Sequence, residues 1–96
     1  MAALSKTEIQ EKLKSLEGWS HAGKALHKKF TFKSFLPAIG FVNKLAEAAE
    51  AAAHHPDITI NYSAVTLSLS THSEGGVTQK DFDLAARIDQ IAQAES

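Results

Sequence analysis

Between Ala53 and Asp57 the hydrophobic period of this chain changes from that of a helix to that of a strand, and Pro56 stands at the change. Before it, Ser34 can cap a helix running to about Ala53, with Asn43, Lys44, Glu47 and Glu50 on one arc of the helical wheel. Phe35, Ala38, Phe41, Val42, Leu45, Ala46, Ala48, Ala49, Ala52 and Ala53 cover most of the rest. After it, Asp57 to Asn61 and Ala64 to Thr71 read as paired strands joined by a tight turn near Tyr62-Ser63. Val65, Leu67 and Leu69 alternate there with Thr66, Ser68 and Ser70, which gives one buried and one open face. The residue before a proline is pushed out of the α region, so the helix has to end here. A chain built this way lays a long helix on a half-buried sheet.

The apolar arc of that helix is about 200° wide, whereas a helix lying on one core needs a stripe of only ~100°. One face is therefore expected on the sheet and another on a partner subunit.

The flanking segments complete the pattern. Ser5-Lys6-Thr7-Glu8 has the form of a capping box, Leu4 and Ile9 stand where a hydrophobic staple would pack, and Ile9, Leu13 and Leu16 form one apolar stripe before a stop at Gly18. Trp19 to His21 and Ala25 to Phe32 form a hairpin through Ala22-Gly23-Lys24, with Leu26, Phe30 and Phe32 inward and His27, Lys29 and Thr31 outward. Ser73 to Gly76 reads as a flexible loop. Thr78 to Asp81 repeats the cap pattern, with Asp in place of Glu or Gln, ahead of a helix whose inward face is Leu84, Ala85, Ile88, Ile91 and Ala92. The order α-β-β-α-β-β-α predicts an α+β fold, a four-stranded antiparallel sheet with its helices packed on one face. Ninety-six residues suffice for one domain, expected to span 1–96.

The formal net charge is −1 with both signs interspersed, which argues against nucleic acid and against an anionic membrane surface as partners. No cysteine is present, so disulfides and thiolate metal sites are excluded. The first residues lack the apolar core of a secretory signal, and no apolar run approaches the ~20 residues that span a bilayer. A cytoplasmic protein is expected.

Chemistry concentrates between Glu50 and His72, which holds three of the five histidines. Glu50 and His54, four apart on one helix, are expected to be neighbours, the carboxylate fixing the tautomer of the imidazole and raising its pKa. A cationic histidine that only stabilises a helix end would account for His54 alone as well. His55 follows directly, but Pro56 turns its backbone aside, so the two rings reach in different directions. His72 follows the strand on its polar parity, at the rim. Zinc is often held by three histidines or by two and a carboxylate, yet adjacent histidines at a helix end rarely converge on one ion, so no metal is expected. His21 and His27 read as exposed strand positions. Trp19 is either a core aromatic or a stacking wall for a flat ligand, and Tyr62 and Asp81 read as structural, in a turn and a cap.

Taken together, Glu50-x₃-His54-His55-Pro56, Tyr62, Ser70-Thr71-His72 and Asp81, with Gly18-Trp19 upstream, resemble the signature of the pterin-4a-carbinolamine dehydratases over nearly the whole chain. That resemblance implies the αββαββα fold and assembly as dimers or tetramers through the long helix and sheet edge. It implies loss of water from 4a-hydroxytetrahydropterin, with no metal or cofactor beyond the pterin substrate. Carried onto these positions, it makes His54 and His72 the acid/base pair, His55 a substrate-binding residue, and Glu50 the group orienting His54. Pro56, Thr71, His72, Ser73 and Glu74 would line the pterin pocket. Vertebrate relatives also act as coactivators of a homeodomain transcription factor, so a protein-interaction module is the alternative reading.

Overall fold

The computed structural model describes residues 3–95; Met1, Ala2 and Ser96, the ends of the expected domain, lie outside them. The elements are α1 (Lys6–Leu13), β1 (Ser20–Ala22), β2 (Ala25–Thr31), α2 (Phe35–Ala52), β3 (Asp57–Asn61), β4 (Ala64–Leu69), a 3-10 turn (His72–Glu74) and α3 (Gln79–Glu95). The strands form one antiparallel sheet in the order β1-β2-β4-β3.

The two hairpins are local, and the central β2–β4 pairing joins them. Leu26 lies opposite Leu69 and Phe30 opposite Val65, so the inward residues of both hairpins share one face. Leu26, Phe30, Val65, Leu67 and Leu69 are buried there in one cluster with Ile9 of α1, Phe41 and Leu45 of α2, and Leu84, Ala85 and Ile88 of α3. All three helices thus cover the same face, as the sequence predicts. Phe41 sits between Phe30 and Phe32, each 5.0 Å from it between ring centres, with the rings tilted by 43° and 36°.

At the N-terminus the capping box forms: Ser5 N–H donates to Glu8 Oε1 at 2.9 Å, and Glu8 N–H donates to Ser5 Oγ at 3.2 Å. The Ser5 N–H bond holds the Glu8 carboxyl below its usual range. Helix α1 closes at Leu13, however, and does not run on to Gly18. The next residues leave it in tight turns, Leu16 N–H bonding Leu13 C=O, and Gly18 takes the left-handed conformation at φ 86° beyond them.

Trp19 proves to be a core residue. Its indole N–H is shared by both oxygens of Asp89, 3.1 Å from each, and Asp89 also accepts Lys28 Nζ at 3.0 Å. Lys28 reaches the Glu17 carbonyl at 3.0 Å and stands 4.7 Å over the Phe30 ring. This clamp ties the α1–β1 connection, β2 and α3 together.

Helix α2 buries Ala38, Phe41, Leu45 and Ala49. Phe35 and Leu36 are exposed, as are Ala46 and Ala52, so part of its wide apolar surface is uncovered in one chain. Every residue of β3 is exposed as well, including Ile58 and Ile60, which lie on the helix side of the sheet opposite Leu67 and Val65. Tyr62, at φ 54° in the β3–β4 turn, is exposed and not part of the core. No helix of the described residues is long and apolar enough to cross a membrane.

Candidate active site

The end of α2 decides where the histidines go. Ala53, not Pro56, stops the helix: it adopts the left-handed conformation at φ 51°, ψ 40°. Its N–H bonds Glu50 C=O at 3.0 Å, and His54 N–H bonds Ala49 C=O at 3.0 Å. These two bonds close a Schellman motif, which satisfies the last carbonyls and sends the chain off the helical path. An alanine in this conformation costs roughly 1 kcal/mol relative to glycine.

His54 therefore does not follow Glu50 one helical turn later, and the expected Glu50–His54 pair does not form. His54 turns inward, its side chain 11 % exposed, and its Nε2 lies 2.5 Å from Oδ1 of Asp81, which is fully buried. The carboxylate of Glu50 is instead 2.5 Å from Nε2 of His55. Both partners of that second pair face solvent, at 78 % and 62 % exposure, so the Glu50–His55 contact is screened and weak.

Asp81 is the centre of the buried group. Its Oδ2 accepts the Thr78 N–H at 2.9 Å and the Thr71 hydroxyl at 3.0 Å. Since the Thr71 proton goes to the carboxylate, the Thr78 hydroxyl, 2.8 Å away, donates to Thr71 Oγ1. Asp81 thus does bond the Thr78 N–H as a cap residue would, and it also holds a histidine. An ionised carboxylate can only accept, so with Asp81 in that form His54 carries a hydrogen on Nε2 and leaves Nδ1 as the nitrogen available to another group. A buried carboxylate fixing the tautomer of an imidazole is a recurrent means of setting up a general base.

The same network fixes the segment after β4. The strand ladder ends at Leu69, and Thr71 makes an isolated bridge to Gly76, its N–H bonding Gly76 C=O at 2.8 Å. Between them His72 to Glu74 form a 3-10 turn closed by Gly75 at φ 74°. The expected flexible loop is therefore a short, hydrogen-bonded turn. Thr71 is buried at its base and His72 and Ser73 are exposed on it, so His72 stands at the rim as its parity predicts. The structure brings His54, Asp81, Thr71 and Thr78 into one bonded group and places Glu50 with His55 in another. His27, read as an exposed strand position, is half-buried, with its Nε2 3.2 Å from the Ala22 carbonyl oxygen.

The sequence signal for Asp81 was its type: a cap carboxylate needs only one oxygen for Thr78, which leaves the other for a partner. Nothing local names that partner, 27 residues away.

Comparison with known proteins identifies the family. The family model for pterin 4 alpha carbinolamine dehydratase matches residues 2–91. A member from Nostoc punctiforme is 57 % identical over 88 residues, 92 % of this chain and 95 % of that protein. One from Picosynechococcus sp. is 54 % identical over 88 residues, 92 % of this chain and 96 % of that protein. Among solved structures, the transcriptional coactivator/pterin dehydratase from Brucella melitensis superposes with a TM-score of 0.91 at 38 % identity, covering 94 % of this chain and 98 % of that one. A pterin dehydratase-like protein identified as a RuBisCO assembly factor in the alpha-carboxysome reaches 0.64 at 27 % identity, covering 77 % and 86 %. With the family model matched over nearly its whole length and relatives 54 % and 57 % identical, the chain belongs to the pterin-4a-carbinolamine dehydratase family.

Proposed function

We propose that this protein dehydrates 4a-hydroxytetrahydropterin to quinonoid dihydropterin and water, in support of tetrahydrobiopterin recycling. The observation that carries the reading is the buried Asp81 holding Nε2 of His54. In the reaction the C4a–O bond breaks, the hydroxyl leaves as water with a proton from an acid, and the N5 proton passes to a base as the C4a–N5 double bond forms. His54 and His72 serve as that pair, because imidazoles titrate near neutrality and can hold opposite protonation states together. His55, with Glu50 beside it, serves substrate binding, and Pro56, Thr71, Ser73 and Glu74 border the pterin. No metal or cofactor takes part, and the protein works in the cytoplasm.

The test is dehydration of freshly generated 4a-hydroxytetrahydropterin, followed by absorbance, with wild type beside a His54→Ala/His72→Ala variant. Acceleration that collapses by about 10²-fold or more in the variant supports the assignment. A folded wild type that gives no acceleration would remove it.

Assembly of copies of this chain belongs to the same proposal. Strand β3 is an edge strand with no charged or proline residue beyond Asp57 to blunt it. Its two-residue turn makes Asn61 and Ala64 the closing hydrogen-bonded pair, so the N–H and C=O groups of Ile58 and Ile60 face the free edge. A second copy pairing there continues the sheet, and the uncovered face of α2 supplies a further contact. Ile60→Lys is expected to reduce the solution mass of the assembly, as measured by light scattering after size exclusion; an unchanged mass would move the contact away from β3. The exposed Phe35, Leu36 and Tyr62 also suit the alternative, docking of another protein such as a transcription factor. The coactivator role of the Brucella melitensis relative favours keeping it.

A further inference from the structure

Tyr62, the only tyrosine of the chain, stands 65 % exposed in the β3–β4 turn with φ at 54°. Asparagine or glycine would take that left-handed conformation at less cost, and an exposed ring gains little burial in its own subunit to offset it. The residues assigned above to the pterin, for their part, include no phenylalanine, tyrosine or tryptophan. Yet the pyrimidine ring of a pterin is flat and offers two broad faces to stack on. Trp19, the wall considered from sequence, is buried in the core.

Pairing of β3 with a second copy brings the unused ring to the site that lacks one. The N–H and C=O groups free on this edge belong to Ile58 and Ile60. A two-fold axis through Thr59 pairs Ile58 with the partner's Ile60, and Ile60 with the partner's Ile58, so that all of these groups are satisfied within the strands. An axis through Ile58 sets Ile60 against the partner's Pro56, which has no N–H, and an axis through Ile60 sets Ile58 against the partner's turn. The Thr59 register also places Asp57 opposite the partner's Asn61, a carboxylate beside an amide, with no like charges facing each other. One step further along it, the partner's Tyr62 stands opposite Pro56. Opposite residues of an antiparallel pair have Cβ atoms about 4.5–5.5 Å apart, so the ring comes within reach of a ligand held at His55 and Pro56.

Resting on the dehydratase reading and on the pairing of β3 between copies, we infer that Tyr62 of the partner subunit forms a wall of each active site, its ring stacked on the pterin beside His55 and Pro56. The site is then incomplete in a single chain, and two-fold symmetry builds both sites of a pair reciprocally.

Tyr62→Asn suits the test, because asparagine accepts the left-handed turn and removes the ring. It is expected to raise KM for 4a-hydroxytetrahydropterin about tenfold with kcat within about threefold, whereas Tyr62→Phe keeps the wild-type KM. Mixed pairs then show which subunit the ring serves. In a pair of one Tyr62→Asn chain and one His54→Ala chain, one site combines an intact His54 with the partner's intact Tyr62. With the two chains co-expressed 1:1 and substrate well below KM, the rate is expected to reach about a quarter of wild type, against about a twentieth for a ring that serves its own subunit. An unchanged KM in Tyr62→Asn, a KM raised equally by Tyr62→Phe, a mixture at the lower rate, or a wild type that is monomeric by light scattering would each overturn the inference and leave the dehydratase reading standing. If wild type accelerates no dehydration, that reading fails by itself, and calorimetric titration with the unreactive 7,8-dihydropterin decides the wall. A Kd about tenfold weaker in Tyr62→Asn supports it; an equal Kd, or no binding to wild type, rejects it.

Discussion

Asp81→Asn is expected to lower kcat by about 10²- to 10⁴-fold while KM changes by less than about threefold. An asparagine has one acceptor oxygen where the aspartate has two. If that oxygen stays on the Thr78 N–H and the Thr71 hydroxyl, the amide nitrogen faces His54 Nε2 and donates to it. The imidazole must then carry its hydrogen on Nδ1, and the nitrogen meant to act on the substrate presents a proton in place of a lone pair. Asparagine retains the packing and most of the bonds of Asp81, so the fold should survive. The measurement pairs steady-state kinetics with ¹⁵N shifts of His54, which report the tautomer independently of turnover. Wild-type kcat in a variant whose tautomer has switched would show that His54 is not the base. Glu50→Gln is the matched control, since it makes the same change in the carboxylate that the sequence alone assigns to His54. Its partner is the exposed His55, so kcat should stay within about threefold and the His54 tautomer should not change.

The contrast between those two carboxylates shows which parts of the molecule can be read from sequence. Capping of α1 by Ser5 and Glu8 is settled within four residues. The inward alternation of Val65, Leu67 and Leu69 comes from strand geometry alone. Both are legible because the interactions are local or periodic. The end of α2 near Ala53 is legible too, but the direction in which the chain leaves it is not, because an alanine at positive φ contradicts its own preference and is held there by the Schellman bonds and by the bond from His54 to the buried Asp81. The left-handed turn at Ala53 takes His54 off the helical face and leaves Glu50 to His55. The family pattern includes both His54 and Asp81 all the same, since a spacing signature records positions without saying which side chains touch. Strand β3 carries a related lesson: Ile58 and Ile60 lie on the helix side of the sheet, yet both are exposed.

The clamp around Trp19 lies furthest from anything local, with the indole and its acceptor 70 residues apart, and it supplies the largest expected effect on stability. Asp89→Ala removes the carboxylate that receives both the indole N–H and the Lys28 ammonium. Each donor sits where the side chains are roughly a fifth exposed or less, so water replaces the lost acceptor only in part. Breaking a buried ion pair from one side costs about 3–5 kcal/mol, and hydrogen bonds to charged groups contribute about 1.5–3 kcal/mol. Lys28 retains the Glu17 carbonyl and the Phe30 ring, which offsets part of the loss. The expected destabilisation is about 2–3 kcal/mol, or a fall in Tm of roughly 10–20 °C for a chain of this size. Lys28→Met distinguishes charge from packing: it keeps an unbranched stem against Phe30 and removes the ammonium. In that background Asp89→Ala should cost at least about 1 kcal/mol less than in wild type, as a double-mutant cycle in urea would read directly. Additive costs would mean that Asp89 acts through Trp19 alone, and a single-variant loss below about 0.5 kcal/mol would mean that the apolar cluster holds α3 on the sheet without the clamp.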